Sequence, residues 1–192
     1  MTLTRCPDLS PADWIVTSTL PWQQLVTFGP SGFEAYARLR FLPDPAYDGQ
    51  RESDVEEAGS DSDRLHTLLE VLAGQTRSPD ECFFCVWDGF GDLSGGKGPK
   101  VVVPNRAYFL FHGPLATIGD WGAAEWWPGQ SGLPMPDPAF VWPADRAWCV
   151  ANDVDPHWAG IGATRGVVDK LIADPRLDVV AAEADAEQPA YQ

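Results

Sequence analysis

The sequence lacks any apolar run close to the roughly eighteen residues that a membrane-spanning helix needs. Its first nine residues contain no basic region followed by an apolar stretch, so we expect no secretory leader. Cysteines are few, four in the whole chain, which is too few for a disulfide framework and typical of thiols in a reducing compartment. These absences predict a cytoplasmic protein without a membrane partner.

Basic residues are also scarce, since 13 Lys and Arg stand against 28 Asp and Glu, a formal net charge of −15. Such a charge repels the phosphates of nucleic acids and attracts basic proteins. We therefore expect no nucleic-acid partner and keep a basic protein partner as a hypothesis. Acidity also keeps proteins soluble, so the charge alone requires no partner.

The 192 residues, 44% of them hydrophobic, predict one globular domain over residues 1–182. Apolar residues alternate from Phe33 to Phe41 and are continuous from Cys82 to Trp87, two patterns typical of strands. Leucines spaced as on one face of a helix follow Asp63, and Gly74 stands where a left-handed cap would end that helix. The fold class predicted is α+β, with a single mixed, largely antiparallel sheet and two or three packed helices. Other strands are predicted at 101–103, 107–111, 147–151, 158–161 and 177–181, and other helices at 13–18 and after Thr164.

Three segments are predicted to be irregular. Residues 44–63 are acidic and poor in large apolar side chains, which predicts a mobile surface loop. Residues 115–143 are rich in Gly and Pro and show no hydrophobic period. Residues 183–192 are small and acidic, which predicts a disordered tail.

The most plausible catalytic residues are Asp153, Asp155 and His157, which follow a buried strand. If this segment is extended, the three side chains point to one side and suit a divalent ion or acid-base chemistry. A polar turn is the alternative interpretation. The Asp-x-Asp resembles that of haloacid dehalogenase-like hydrolases over these few residues, although His157 stands where those enzymes have Thr or Val. The resemblance implies a metal-dependent hydrolase.

Two other motifs carry less information. The segment from Gly91 to Gly98 has the glycines and lysine of a phosphate-binding loop, but it lacks the hydroxyl for magnesium and leads into a strand. Cys82 and Cys85 have the spacing of a zinc pair, yet on a strand they face opposite sides. Outside the hydrolase hypothesis, we expect no metal ion and no cofactor.

Nine tryptophans are the most distinctive feature of the composition. Trp121, Trp126 and Trp127 lie in the irregular segment, where regular surface to bury them is scarce, and tryptophan is enriched at interface hot spots. These residues, with the acidity, favour a non-enzymatic module that binds a protein partner, such as an inhibitor or an immunity protein. A metal-dependent hydrolase using Asp153 and Asp155 is one alternative. Binding of a small ligand in an aromatic pocket is another, and the sequence does not separate it from the first.

The segments 104–114 (PNRAYFLFHGP) and 142–151 (WPADRAWCVA) resemble those of uncharacterised proteins from high-GC bacteria. The resemblance extends through most of the chain. It implies no named activity and therefore no site residue.

Overall fold

The computed structural model describes residues 3–56, 59–89, 98–118 and 136–192. These ranges contain a single nine-stranded sheet and four helices. None of the helices in them is both long enough and apolar enough to span a bilayer. The strands are β1 (Thr4–Arg5), β2 (Ala35–Arg40), β3 (Cys82–Trp87), β4 (Val101–Val103), β5 (Arg106–Gly113), β6 (Phe140–Pro143), β7 (Trp148–Ala151), β8 (Trp158–Ala163) and β9 (Val179–Ala182). The helices are α1 (Asp13–Val16), α2 (Trp22–Phe28), α3 (Asp61–Ala73) and α4 (Arg165–Ala173).

The strand order is β1-β5-β3-β6-β7-β8-β2-β9, and β4 shares with β1 the side of β5 that faces away from β3. Every pair of neighbouring strands is antiparallel, which confirms the predicted α+β class with a largely antiparallel sheet. In the described ranges no parallel pair makes the sheet mixed. β8 and β9 run in the same direction with β2 between them, and α4 connects them. The three successive strands β3, β4 and β5 are not a simple meander, because β4 pairs with β5 alone.

Helices cover both faces of the sheet. The leucines of α3 and the apolar face of α4 pack on one face, against Phe84, Phe111 and Trp148 among others. The apolar residues of α1 and α2 pack on the other face, with Cys85, Leu110 and neighbouring side chains. Because the central strands are buried on both sides, their sequences are continuously apolar rather than alternating, as in β8, where all six residues are buried.

The long helix α3 follows from its sequence pattern. Its leucine stripe is fully buried, and the carbonyl of Leu72 accepts a hydrogen bond of 3.0 Å from the indole of Trp148 on the sheet. The helix begins at Asp61, two residues earlier than predicted, because Ser60 caps it. The predicted left-handed cap was wrong, since Gly74 has a φ of −78° and continues the right-handed turn.

Two elements differ from the sequence prediction. Helix α2 occupies a segment for which the sequence pattern predicts no element, and Pro21 and Gly29 are the residues that cap it. Strand β6 lies within the segment that we expected to be irregular, and it pairs with both β3 and β7. Both elements are short and gain their stability from packing on the sheet rather than from local pattern.

The predicted mobility of residues 44–63 and disorder of residues 183–192 stay predictions, but the two segments contact each other. The Tyr191 hydroxyl donates to the carbonyl of Pro43 at 2.5 Å, and the amide of Gln192 donates to the carbonyl of Gln50 at 3.0 Å. The Tyr191 ring also lies 4.8 Å from the ring of His157. The end of the tail thus packs against the acidic loop.

Candidate functional site

Asp153 and Asp155 lie in the turn between β7 and β8, and both bind one arginine. Arg106 begins β5 directly after Asn105, whose left-handed φ of 65° makes a tight turn between β4 and β5. The Arg106 guanidinium donates to both Asp153 oxygens at 3.0 Å and to Asp155 at 3.0 Å. The hydrogen bond to Asp153 is the main reason that the pKa of Arg106 rises above its ordinary value.

Tryptophan rings surround this guanidinium. Its central carbon lies 5.8 Å from the ring centroid of Trp22 on α2 and 5.2 Å from that of Trp87 at the end of β3. These distances suit cation–π attraction, which strengthens where water is excluded. Three elements distant in sequence therefore hold Arg106 in place, and Arg106 in turn holds the turn that carries Asp153.

His157 binds elsewhere. Its Nε2 lies 3.3 Å from Asp44, whose carboxylate also accepts from Arg38 at 2.6 Å. Burial lowers the pKa of His157 below its ordinary value. Burial alone would raise the pKa of Asp44, but hydrogen bonds and charge from Arg38, with contributions from His157 and Arg40, lower it to about 2. His157 therefore belongs to a hydrogen-bonded pair with the half-buried carboxylate of Asp44 rather than to the Asp153 turn.

The structure thus brings Asp153 and Asp155 onto one arginine, whereas His157 makes its hydrogen bond to Asp44. Residues 152–157 form a bend rather than an extended strand, so the alternation expected from the sequence does not apply. Because both oxygens of Asp153 accept from Arg106, the carboxylate serves as an ion-pair partner, and a metal ion or a nucleophilic role there would compete with the guanidinium for it. Within the described ranges, no three His, Cys, Asp or Glu side chains are grouped as metal ligands.

A cleft lies beside this turn, at the end of the sheet where β2, β3 and β7 end. It consists of two adjoining recesses, of about 300 Å³ and 170 Å³. Both are lined by Phe41, Asp61, Val154 and Pro156. The larger is also lined by Trp87, Pro136, Asp137, Ala139, Asn152 and Asp153, and the smaller by Leu42, Glu52, Gly59, Asp155 and His157.

Five acidic side chains line the cleft. Glu52 and Asp61 come from the loop and helix start on one side, and Asp137, Asp153 and Asp155 come from the other. Asp137 accepts a hydrogen bond of 2.5 Å from the Ser62 hydroxyl. The side chain of Asp155 is 77% exposed and points its charge at solvent. Among the described lining residues there is no lysine or arginine.

This convergence is not visible in the sequence alone. The density of carboxylates in residues 44–63 is apparent there, as is the Asp-x-Asp. The topology brings them to the same cleft, because the end of β2 lies beside the start of β8 in the antiparallel pair, with Arg40 opposite Trp158. The contact between the two segments can therefore be predicted only when the strand order is known.

The other residues singled out from the sequence carry no site in the described ranges. Trp121, Trp126 and Trp127 lie outside the described residues, as does most of the glycine-rich segment. Cys82 and Cys85 belong to the cores on opposite faces of the sheet, as their strand spacing predicts. Burial raises the pKa of Cys82 to about 12 and that of Cys85 well above its ordinary value, so neither thiol is activated.

No protein-family model, curated protein or solved structure matches this chain. The resemblance to proteins of high-GC bacteria therefore stays an expectation. Inferences about function depend on the cleft and on the chemistry of the residues around it.

Proposed function

We propose that this chain is a non-enzymatic module that binds a basic segment of a protein partner in the acidic cleft. Such a module acts on its target as an inhibitor or an immunity protein does. The observation that carries the proposal is the single sign of the charges in the cleft, where Glu52, Asp61, Asp137, Asp153 and Asp155 converge.

Charges of one sign in a concave, partly apolar site focus the electric field and raise the local concentration of a ligand of opposite sign. The total charge of −15 adds long-range attraction for the same partner. Complementary charge of this sort raises the association rate and the selectivity for the partner more than it raises the affinity.

The cleft also has an apolar component. Phe41 is buried at its base, and Val154 exposes 44% of its surface beside Pro156. Lysine and arginine side chains bury their aliphatic stems on such surfaces while the charged end binds a carboxylate. A basic peptide segment therefore matches the cleft in both of its properties.

The geometry of Asp153 favours this function over the hydrolase. Both of its oxygens accept hydrogen bonds from Arg106, so its charge is compensated within the chain. Glu52, and Asp155 with its largely exposed side chain, present carboxylates on the rim to a partner's cations, although Asp155 also binds Arg106. The arginine fixes the acidic turn in one position, and a preorganised rim reduces the entropy lost on binding.

The test uses two variants with the same change in charge. One replaces Glu52 and Asp155 by lysine, and the control replaces Asp169 and Glu183 by lysine, at positions exposed on α4 and after β9. Fluorescence anisotropy with a labelled oligo-arginine peptide measures the affinity of each variant. We expect the cleft variant to lose affinity on the order of tenfold relative to the control, and the wild-type affinity to fall with added salt.

The natural partner is tested by retention from native lysate on immobilised protein. We expect a basic protein that elutes with salt, remains on the Asp169/Glu183 variant and is absent from the Glu52/Asp155 variant. Equal loss of peptide binding by both variants would show that net charge, and not the cleft, attracts the peptide. That result would overturn the proposal.

A further inference from the structure

A second recess lies at the opposite end of the strands, where β2 and β7 begin and β8 ends. Its volume is about 350 Å³, at the small end of the range for ligand pockets. It does not share a residue with the acidic cleft, so a ligand site in it is independent of the proposed function. The recess is lined by Trp14, Ser31, Gly32, Phe33, Glu34, Arg146, Ala147, Ala163 and Thr164.

Arg146 reaches this recess through a strained turn. It lies in the hairpin between β6 and β7 and has a φ of 51°, a left-handed conformation that glycine or asparagine adopts more easily than arginine. Asp145 fixes the turn, because its carboxylate accepts hydrogen bonds from the Thr76 hydroxyl at 2.7 Å and from the amide of Arg77 at 2.9 Å. An arginine at a position that suits glycine costs stability and is expected where its side chain has a use.

The Arg146 guanidinium lies 4.8 Å above the ring of Trp14. In the described ranges it forms no ion pair, although the chain has 28 acidic side chains. Arg38, Arg40 and Arg106, in contrast, each bind a carboxylate. The side chain of Arg146 is therefore positioned on an aromatic ring while its hydrogen-bond donors stay available to a ligand.

Two hydroxyl groups of the same recess are also available. Neither Ser31 nor Thr164 uses its hydroxyl in a hydrogen bond within the described residues, and Thr164 precedes α4 without capping it. Phe33 supplies an apolar wall, since its ring meets that of Trp14 edge to face at 6.2 Å.

Glu34 is the acidic residue of the recess, and it limits which anions fit. Its carboxylate accepts from the backbone amide of Arg165 at 3.2 Å, which fixes it beside the helix N-terminus. A doubly charged phosphate would be repelled there more strongly than a single carboxylate. The nearby rings favour a ligand with an apolar ring.

The geometry points to a binding site for a small aromatic monocarboxylate, with the carboxylate on Arg146 and the ring against Phe33. Ser31 and Thr164 supply hydrogen-bond donors to the same carboxylate. Such a ligand satisfies the guanidinium, the two hydroxyls and the aromatic wall together.

The test uses phenylacetate as the probe and follows amide and indole signals by ¹H–¹⁵N NMR during a titration. We expect saturable shifts at Trp14, Phe33 and Thr164. The variant Arg146→Gly should fold, because glycine relieves the strained φ, and should weaken binding on the order of tenfold. The control Arg176→Ala removes an equal charge from an exposed residue beyond the other end of α4 and should bind as the wild type does.

Two further probes separate the parts of the ligand. Acetate has the charge without the ring, benzyl alcohol has the ring without the charge, and we expect both to bind more weakly than phenylacetate. The inference is overturned if phenylacetate gives no saturable shifts at the recess, or if Arg146→Gly binds it as well as the wild type does. Acetate that binds as tightly as phenylacetate overturns the assignment of an aromatic ligand.

Discussion

Asp153 accepts a hydrogen bond from Arg106 on each of its two carboxylate oxygens, and the side chains expose only 6% and 13% of their surfaces, respectively. The pair joins the start of β5 to the turn before β8, residues separated by 47 positions in the chain. A buried charge that loses its partner pays most of its desolvation cost without compensation. The stability of the acidic turn therefore depends on Arg106.

We predict that Arg106→Ala lowers the free energy of unfolding by about 3 kcal/mol, because it leaves Asp153 buried and unpaired. Urea denaturation measures the change. The control Arg165→Ala, at an exposed arginine, is expected to change stability by less than about 0.5 kcal/mol. The double variant Arg106→Met with Asp153→Leu should recover much of the loss, since apolar replacement removes both charges. A double variant as unstable as the single variant contradicts this explanation.

The sequence predicts the parts of this fold that local pattern specifies. The leucine spacing of α3 is enough to predict a helix there, and the apolar run of β3 is enough to predict a buried strand. Helix α2 was missed because the seven residues between Pro21 and Gly29 are too few to show a helical hydrophobic period. Its stability comes instead from contact with β8. The Arg106–Asp153 pair was missed for a related reason, since its two residues meet only through the strand order.

Prediction from the sequence has the same limitation for single residues of the candidate site, because their positions also depend on the tertiary fold. Asp153 and Asp155 were predicted to share a side of an extended segment, but the segment bends, and the buried Asp153 and the exposed Asp155 meet only through Arg106. His157 was expected beside them, but the bend at 152–157 directs it to Asp44 instead. Spacing in sequence predicts direction only where the backbone is regular.

The pair of His157 and Asp44 makes stability depend on pH. Burial lowers the pKa of His157 in the folded state below its ordinary value of 6.5, so the unfolded chain binds the proton more readily. The contribution is fully present above pH 6.5 and is lost as the pH falls through the folded pKa. Asp44 adds a second loss between its ordinary pKa of 3.8 and about 2.

We therefore expect the free energy of unfolding to fall as the pH is lowered from about 7.5 to about 5, and the His157→Asn variant to lose that part of the slope. Urea denaturation at a series of pH values measures it. NMR titration of the His157 ring gives an independent measurement, and a folded-state pKa at or above the ordinary value of 6.5 would contradict the interpretation.

The tail contact can be tested through the acidic loop. Tyr191 covers His157 and binds Pro43, so Tyr191→Ala should loosen residues 43–56. We expect faster trypsin cleavage after the exposed Arg51, by several-fold, because cleavage requires local opening of the loop. Tyr191→Phe keeps the ring contact and should have a smaller effect. Tyr47, which exposes 61% of its surface in the same loop, provides the control Tyr47→Ala, and an equal increase in that variant would contradict the role of Tyr191.

The close contact of α2 with the sheet depends on a glycine of β8. A Cβ atom at Gly160 would overlap the carbonyl oxygen of Thr27, a backbone atom that cannot move unless the helix shifts. Gly160→Ala should therefore cost about 2–4 kcal/mol of stability through overpacking and displacement of α2. The matched control is Gly166→Ala in α4, where a Cβ meets no atom within 4 Å. Because alanine is the better helix former, that variant should gain about 0.5–1 kcal/mol. Thermal or urea denaturation distinguishes the two, and a Gly160→Ala variant as stable as the wild type would mean that α2 does not pack closely on β8.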